Sequence, residues 1–500
     1  MFGVTILSIT LTFGYAGLIM LLLILWKHYK QIYIIIKNLR RDIRFFYRFM
    51  MVQLTLRAYS RNNVTILKIF RDRAHRYPNK TCLIGEDRVW TNAEINAYSN
   101  KIASVFQKAG YKKGDVVALM MTNKPEFVAT WLGLGKIGVI SAFININLRH
   151  KMLAHCLDVA KGKGLIYSNE FSSGKLHSAI MGNFKYIIMY KECDKSEFPC
   201  EDGVFNLNKL MLDASAEEPI VNEEPKFHDR LLYIYTSGTT GLPKAALTYN
   251  IMGLRPNDIM YNANPLYHLS GGIIGICCAL TRGIPSVVRR KFSVTNYWSD
   301  CVEHKCTVAM YIGEMCRYLL SAPNRPEETA HSLRLMIGNG LKLPIWRKFI
   351  DRFKIKEITE CYGASEGNVF LLNIANKIGA IGFMPLLLPK KLQTTVIVRV
   401  DPDTYEPIRG PDGLCIEAKP NEEGMCIGMI RKQNALRQFD GYLDKEATMK
   451  KILRDVLVKG DKAFITGERS MGLKYVSWRL ITLCTFRRYS NAGRRRILLL

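Results

Sequence analysis

The sequence contains no C-x-x-C pair, no low-complexity tract and no internal repeat. Its thirteen cysteines are odd in number and irregular in spacing, which argues against both a disulfide framework and a metal site made of paired cysteines. We interpret them as reduced, mostly buried thiols of a protein that faces the cytosol. The 500 residues, 48% of them hydrophobic, are enough for a large core and more than one domain.

Acidic residues are scarce: 43 Asp and Glu stand against 71 Lys and Arg, and the formal net charge is +28. Residues 1–60 carry eight basic residues and one acid, and residues 469–500 carry eight basic residues and no acid, so over half of the excess lies at the two ends. The middle is only mildly basic, which suits an anionic substrate or a membrane surface. The basic ends border apolar segments and no nucleic-acid-binding fold is recognisable, so we expect no nucleic-acid partner.

Charged side chains are absent from residues 1–26. At about 1.5 Å per residue, a helix of this length crosses a bilayer, so we expect a transmembrane anchor here. The alternative is a cleaved signal peptide, although its basic start and small-residue cleavage site are not clear. Because the basic segment 27–58 follows directly, the positive-inside rule places the body in the cytosol. We expect a single-pass protein of the endoplasmic reticulum, the plasma membrane or the peroxisome.

The segment 27–58 is amphipathic as well as basic. Apolar residues recur at helical spacing from Ile32 to Met50, and Lys37, Arg41, Arg44 and Arg48 lie on another face. Such a helix either lies on an anionic leaflet or packs on the body with a solvated basic face. These residues alone leave the two alternatives open.

Helix and strand patterns alternate through the next part of the chain. Trp90 to Phe106 predicts a helix with a threonine cap, Gly114 to Met121 a buried strand, and Asn123 to Ile140 a helix that leads to another strand. This βαβ rhythm predicts an α/β fold of parallel sheets with helices on both faces. Ala214 to Pro225 is acidic and polar, as in a linker. The strand Val396 to Val400 and the turns after it indicate a small β-rich subdomain.

The most informative stretch begins at Leu231 to Tyr235, which predicts a buried strand. A glycine- and hydroxyl-rich loop follows, and its backbone N–H groups and hydroxyls suit phosphate oxygens. Lys244 adds a point charge for a polyphosphate. The alternative is a polar turn between two strands. The candidate phosphate-binding residues are Tyr235, Thr236, Ser237, Gly238, Thr239, Thr240, Gly241 and Lys244.

Three further motifs follow this loop. Within Asn264 to Gly272, His268 lies at the end of an apolar segment, and a lone histidine there is more often a packed or capping residue than a ligand contact. Ile337 to Leu341 predicts a glycine turn after a strand, suited to close approach by a flat ligand. Glu360 to Asn368 predicts one tight turn, in which an aromatic ring stacks on a base while a hydroxyl and a carboxylate hold Mg²⁺.

In this order, the motifs resemble the adenylate-forming (AMP-binding) superfamily over roughly residues 60 to 468. Within it, the chain is similar to the fatty acid transport proteins, also called very long-chain acyl-CoA synthetases. The resemblance implies an adenylation domain over residues 59–468 with ATP and Mg²⁺, and coenzyme A as co-substrate. It implies that long and very long fatty acids are activated through an acyl-adenylate, coupled to their uptake. Membrane lipid and a second copy of the chain are the partners expected besides the fatty acid.

The resemblance also implies roles for individual residues. Thr236 to Lys244 would form the loop over the phosphates, and Thr240, Lys244 and Glu366 would be the catalytic residues. Ser365 and Glu366 would support Mg²⁺, and Glu468 would hold the ribose hydroxyls where the family has aspartate. The nucleotide and acyl sites would be bordered by His268, Gly338, Asn339, Gly340, Tyr362 and Gly363.

The sequence departs from the family pattern in three places. Glu468 is one methylene longer than aspartate, and the interval between Lys244 and Pro265 leaves little room for the helix that the family has there. Residues 469–500 form a basic tail that does not match the family, and we expect the C-terminal lid domain to be missing. The alternative function is therefore a catalytically impaired member that binds fatty acid or nucleotide, or pairs with a partner protein.

Overall fold

The computed structural model describes residues 2–171, 187–192, 200, 203–234, 237–239, 252–363, 367–385, 393–419, 422–431, 446, 449–466, 471–476 and 480–485. The described backbone forms a long N-terminal helix, two mainly parallel sheets with their helices, and one antiparallel sheet. The α/β class with parallel sheets and a β-rich subdomain is therefore confirmed.

The described strands are β1 Thr81–Ile84, β2 Val89–Thr91, β3 Val116–Met120, β4 Ile140–Phe143, β5 Gly164–Ser168, β6 Ile188–Glu192, β7 Val204–Asn206, β8 Leu232–Ile234, β9 Ser237–Thr239, β10 Met260–Asn262, β11 Ser286–Val288, β12 Val308–Ile312, β13 Leu335–Asn339, β14 Glu357–Gly363, β15 Phe370–Asn373, β16 Gly382–Phe383, β17 Thr395–Arg399, β18 Glu423–Met429, β19 Ile452–Arg454, β20 Lys462–Ile465, β21 Met471–Val476 and β22 Leu480–Thr485.

The described α-helices are α1 Phe2–Arg61, α2 Ile66–Arg76, α3 Asn92–Lys108, α4 Pro125–Lys136, α5 His150–Ala160, α6 Leu207–Leu212, α7 Cys278–Arg282, α8 Tyr297–Glu303, α9 Gly313–Ser321, α10 Glu327–Ala330 and α11 Leu343–Phe353. A 3₁₀ turn covers Asn169–Phe171, and a π-helix covers Leu269–Cys277.

Helix α1 runs without a break through both the predicted membrane span and the predicted basic segment. Within the described ranges, no helix combines the length and the apolar character that crossing a membrane requires. The predicted transmembrane anchor over residues 1–26 is therefore not confirmed.

The second half of α1 packs one face on the body. Phe49, Val52 and Leu56 are buried at helical spacing, and the ring of Phe45 meets that of Phe383 edge-on with the centroids 5.2 Å apart. The exposed side of the helix carries large apolar side chains at helical spacing, namely Ile36, Ile43, Tyr47, Met51 and Leu54. The helix thus packs on the body, but its outer face is apolar as well as basic.

Sheet A has the strand order β15-β14-β13-β12-β10-β11-β1-β2, and sheet B has the order β7-β6-β5-β3-β4-β8-β9. Neighbours run parallel except at three edge strands: β2 and β15 in sheet A, and β9 in sheet B. The strands predicted over Gly114 to Met121 and Leu231 to Tyr235 are confirmed as β3 and β8.

The two-residue period of the strands divides the core into layers. On β12, Val308 and Met310 face a central cluster, whereas Ala309 and Tyr311 face a cluster on the opposite side of sheet A. The central cluster takes side chains from both sheets and from α2, α3, α4 and the π-helix, so these helices lie between the sheets. Helices α8, α9 and α11 cover the outer face of sheet A, and α5 covers that of sheet B.

Helix α3 begins where its sequence predicts. The Thr91 hydroxyl accepts a hydrogen bond from the backbone N–H of Glu94 at 3.2 Å, and the Glu94 carboxylate accepts one from the backbone N–H of Thr91 at 2.7 Å. This reciprocal pair is a capping box, which satisfies two N–H groups at the start of the helix.

The acidic segment 214–225 is fastened to α3 and α4. The buried ammonium of Lys136 donates to Asn96 at 2.7 Å and to Glu218 at 3.2 Å, and Asn100 donates to the carbonyl of Ala216 at 2.8 Å. Burial lowers the pKa of Lys136 to about 8. The predicted linker therefore has no helix or strand, but it is packed along the body.

Sheet C is the predicted β-rich subdomain, with the order β16-β22-β21-β18-β20-β19 and β17 paired to β18. The strand predicted over Val396 to Val400 is confirmed as β17. Strands β21 and β22 belong to the predicted basic tail, and they form a hairpin that pairs with β18 and β16. This part of the tail therefore adds two strands to sheet C.

Candidate functional site

The predicted phosphate loop begins at the carboxyl end of β8 in sheet B. Three of its residues, Ser237, Gly238 and Thr239, form β9 and pair antiparallel to β8, with Gly238 opposite Tyr233. The prediction of a loop is wrong for these three residues, because their backbone groups find partners on the free edge of β8. The other predicted phosphate-binding residues lie outside the described residues: Tyr235, Thr236, Thr240, Gly241 and Lys244.

The carboxyl ends of the strands of sheet A and of sheet B come together. Asn123 follows β3 of sheet B, and its side-chain amide donates to the carbonyl of Asn264, which follows β10 of sheet A, at 2.9 Å. The Asn123 side-chain oxygen also accepts from the backbone N–H of Leu266 at 2.9 Å. Ligands of parallel α/β sheets bind at the carboxyl ends of the strands, so this junction is the candidate site.

Asn264 places a buried polar side chain at the junction. Its side chain is fully buried, and neither its amide oxygen nor its amide nitrogen has a hydrogen-bond partner in the part of the chain that the structure describes. Buried polar groups are nearly always hydrogen-bonded in native proteins. This amide is therefore a candidate contact for a polar group of a ligand, and sequence pattern did not single it out.

His268 lies at the same junction, directly before the π-helix. Its ring lies against that of Tyr267 with the centroids 4.6 Å apart, and burial lowers the pKa of the imidazole. The backbone carbonyl of His268 accepts from the N–H of Gly272 at 2.9 Å, but the side chain makes no capping bond. The histidine is thus a packed and mostly neutral side chain beside the site.

The predicted glycine turn follows β13 of sheet A. Gly338 and Asn339 end the strand, and Gly340 has φ +82°, a left-handed conformation that favours glycine. Helix α9, which follows β12, begins at Gly313, and a β-carbon there would overlap the carbonyl oxygen of Gly340. The absence of a side chain at Gly313 lets the start of α9 lie against the turn. Close approach of a flat ligand to this turn stays a prediction.

Glu360 on β14 holds this turn in place. Its carboxylate is buried and accepts hydrogen bonds from the backbone N–H groups of Gly340 at 2.5 Å and Leu341 at 3.1 Å. The hydroxyl of Tyr311 on β12 donates to the same carboxylate. Burial raises the pKa of Glu360 to about 7. One side chain therefore connects β12, β14 and the turn after β13.

Sequence reasoning missed Glu360 as a site residue, and it placed Glu360 to Asn368 in one tight turn. That prediction is wrong for Glu360 to Gly363, which continue β14 and pair with β15. The chain stays extended because β15 forms backbone hydrogen bonds with β14, and because three donors bind the carboxylate of Glu360. A charged residue two positions before an aromatic, near the end of a strand, was the available signal.

Two distant motifs come together at Tyr362. Its hydroxyl lies 3.4 Å from the hydroxyl of Thr466, which donates to the carbonyl of Cys426 at 2.6 Å. Thr466 precedes the segment that contains Glu468, the residue predicted to hold the ribose. Gly363 ends β14 next to Tyr362. Tyr362 and Thr466 are thus adjacent at the carboxyl ends of the strands of sheet A.

The predicted Mg²⁺ ligands Ser365 and Glu366 lie outside the described residues, as does Glu468. Within the described ranges, no group of three or more His, Cys, Asp or Glu side chains is arranged to hold a metal ion. Of the short interval between Lys244 and Pro265, residues 245–251 also lie outside them, whereas residues 252–264 are described. The roles assigned to these residues stay predictions.

Comparisons with known proteins identify the family of the chain. The family of AMP-binding enzymes matches residues 70–416. Long-chain fatty acid transport protein 1 from Bos taurus is 40% identical over 459 residues, which cover 87% of this chain and 69% of that protein. A medium/long-chain-fatty-acid–CoA ligase from Mycobacterium tuberculosis, FadD6, is 32% identical, with 83% of this chain and 68% of that protein covered.

Among solved structures, the chain is similar to the N-terminal domain of FACL13 from Mycobacterium tuberculosis. The TM-score is 0.65 at 21% identity, and the match covers 84% of this chain and 99% of that domain. At this identity the likeness concerns the fold. It supports the arrangement of two parallel sheets and a β-rich subdomain described above.

Proposed function

Because the chain belongs to the AMP-binding enzymes and, within them, to the long-chain fatty acid transport proteins, we propose that it activates long-chain fatty acids with ATP. The reaction forms a fatty acyl-adenylate and pyrophosphate, and the thiol of coenzyme A then takes the acyl group. The observation that carries this proposal is the contact between the hydroxyls of Tyr362 and Thr466, beside the turn that Glu360 holds.

In the first step, the fatty carboxylate attacks the α-phosphate and pyrophosphate leaves. Such a step needs positioning and neutralisation of charge more than covalent chemistry. The hydroxyls and backbone N–H groups of Thr236 to Gly241 and the ammonium of Lys244 would bind the phosphates. Mg²⁺ bound by Ser365 and Glu366 would neutralise part of the phosphate charge.

The described residues would form part of the side of the site that binds the nucleotide. The turn at Gly338 to Gly340 offers backbone in close reach of a flat base, and Glu360 keeps that turn in one conformation. Tyr362 offers a ring face for the base, and Glu468 would bind the ribose hydroxyls. The buried amide of Asn264 and the ring of His268 line the side where the two sheets meet, which we assign to the acyl group and its carboxylate.

Pyrophosphate release tests this proposal. We expect the full chain to release pyrophosphate from Mg-ATP only when a long-chain fatty acid is added, and Glu366→Ala to lose this release because the metal loses a carboxylate ligand. Glu217→Ala removes an exposed carboxylate far from the motif in sequence and serves as the matched control. Release that does not depend on fatty acid, or that survives in Glu366→Ala, would contradict the proposal. A folded protein without release would favour the non-catalytic alternative, a binding or partner protein.

We also propose that α1 holds the body on a membrane surface. The exposed apolar side chains Ile36, Ile43 and Tyr47 recur at helical spacing, and Arg40 and Arg44 are exposed beside them. A helix with exposed apolar residues next to cations suits the boundary of an anionic leaflet. A fatty acid substrate would then reach the site from the bilayer instead of from water.

A further inference from the structure

A basic cavity lies at the amino-terminal ends of strands of sheet A, and the candidate nucleotide site lies at the carboxyl ends. It has a volume of about 780 Å³ and is lined by Ile69, Asp72, Arg73, Arg76, Tyr77, Lys80 and Arg282. Lys80 directly precedes β1, and Arg282 ends α7 shortly before β11. Since β1 and β11 are parallel to the strands that carry Gly338 and Tyr362, the cavity is at their amino-terminal ends.

Positive charge dominates this cavity, because four cationic side chains accompany a single carboxylate, Asp72. Within the described ranges, Arg73, Arg76 and Lys80 form no ion pair with a carboxylate. Their neighbour Arg71 shows the contrast, since it lies 3.6 Å from the carboxylate of Glu224. Cations that line a concave surface raise the local concentration of anions.

Arg73 is fixed at the back of the cavity. Its guanidinium donates to the carbonyl of Thr281 at 2.9 Å and fills the space that a β-carbon of Gly283 would need. Its Nε is buried and lacks a hydrogen-bond partner in the described chain. Burial lowers the pKa of Arg73, and the positive charge of Arg282 contributes in the same direction. A bound anion would supply both the missing acceptor and the missing negative charge.

We infer that this cavity binds an anion that carries phosphate groups. Guanidinium and ammonium groups match phosphate oxygens in charge and geometry. The side chains of Ile69 and Tyr77 form an apolar wall that would accommodate the rest of the ligand. Two sources have this chemistry: a soluble polyphosphate and the headgroup of a phospholipid. Helix α2 supplies four of the seven lining residues, and Tyr77 directly follows it. Because α2 comes directly after α1, a headgroup at the membrane surface is within the same part of the molecule.

Titration calorimetry with soluble probes tests the phosphate chemistry. The full chain, saturated with AMP to fill the nucleotide site, is titrated with inositol 1,4,5-trisphosphate and with inorganic pyrophosphate. Arg76→Ala/Lys80→Ala removes two exposed cavity cations and should weaken binding of at least one probe about a hundredfold or more, because two charge-assisted hydrogen bonds to the phosphates are lost. Arg347→Ala/Lys348→Ala removes the same two residue types from the exposed side of α11 and should leave binding unchanged.

Sedimentation with vesicles distinguishes the sources. If the ligand is a headgroup, phosphatidylinositol 4,5-bisphosphate in phosphatidylcholine vesicles should increase binding of the unmodified chain and of the α11 variant, but not of the cavity variant. If the ligand is soluble, the cavity variant should lose pyrophosphate binding, and all three proteins should bind the vesicles equally. No saturable binding of either probe, or an equal loss in both variants, would overturn the inference. Fatty-acid-dependent pyrophosphate release should be the same in all three proteins, so the outcome is independent of the proposed reaction.

Discussion

At the scale of single residues, the buried carboxylate of Glu360 joins three elements of sheet A through Tyr311, Gly340 and Leu341. Those donors favour the ionised form, yet burial prevails and raises the pKa of Glu360 to about 7 from its ordinary value of 4.5. The protonated group is thus favoured by folding. Its contribution to the free energy of unfolding is complete below about pH 4.5 and is lost as the pH rises through about 7.

We predict that Glu360→Gln removes this pH dependence, because the amide keeps the shape, accepts from Gly340 and Leu341 through its oxygen, and does not titrate. The free energy of unfolding of the unmodified chain, relative to the variant, should fall by up to about 3 kcal/mol between about pH 5 and about pH 8.5. Urea denaturation of both proteins at the two pH values measures it, and titrations common to both cancel in the difference. A difference that is constant with pH would show that Glu360 does not titrate in this range.

At the scale of elements, the start of α9 lies against the turn after β13 because Gly313 has no side chain. We predict that Gly313→Ala pushes the turn away from α9, because its β-carbon would overlap the carbonyl oxygen of Gly340. Overpacking of this kind costs about 1–3 kcal/mol. The variant should lose stability and also bind AMP more weakly, as measured by thermal unfolding and by calorimetry.

Gly162→Ala is the control for this substitution, because a β-carbon at Gly162 would have no neighbour nearer than 3.6 Å and the residue is not in the left-handed region. It should change neither stability nor AMP affinity appreciably. If Gly313→Ala lowered stability but bound AMP like the unmodified chain, the turn would not be part of the nucleotide site.

Strongly periodic elements were predictable from the sequence. Helix α3, with its Thr91 cap, and strands β3, β8 and β17 lie where their patterns placed them, because local propensity and burial favour the same structure there. Strand β9 and the end of β14 were not predictable, since their conformation depends on a neighbouring strand distant in sequence. Glu360 and Asn264 were missed for a similar reason: their importance comes from donors and from burial that only the fold brings together.

At the scale of the whole molecule, α1 gives the protein a second surface, distinct from the site. We predict that Ile43→Ser/Tyr47→Ser weakens binding to vesicles of phosphatidylcholine and phosphatidylserine about tenfold or more, because burying one large apolar side chain contributes about 1.5–3 kcal/mol. Vesicle sedimentation measures the change. Ile220→Ser/Val458→Ser removes two exposed apolar side chains of other segments and should bind like the unmodified chain. Equal binding by all three proteins would contradict the role of α1.

The arrangement of the whole chain centres on one reaction, whose product is directly detectable. Incubation of the full chain with Mg-ATP and a long-chain fatty acid, without coenzyme A, should give fatty acyl-AMP by mass spectrometry. The product should be absent with Glu366→Ala and present with Glu217→Ala, and added coenzyme A should convert it to the thioester. If a folded protein that binds ATP produced no acyl-AMP, the chain would not be an adenylating enzyme, whatever its family.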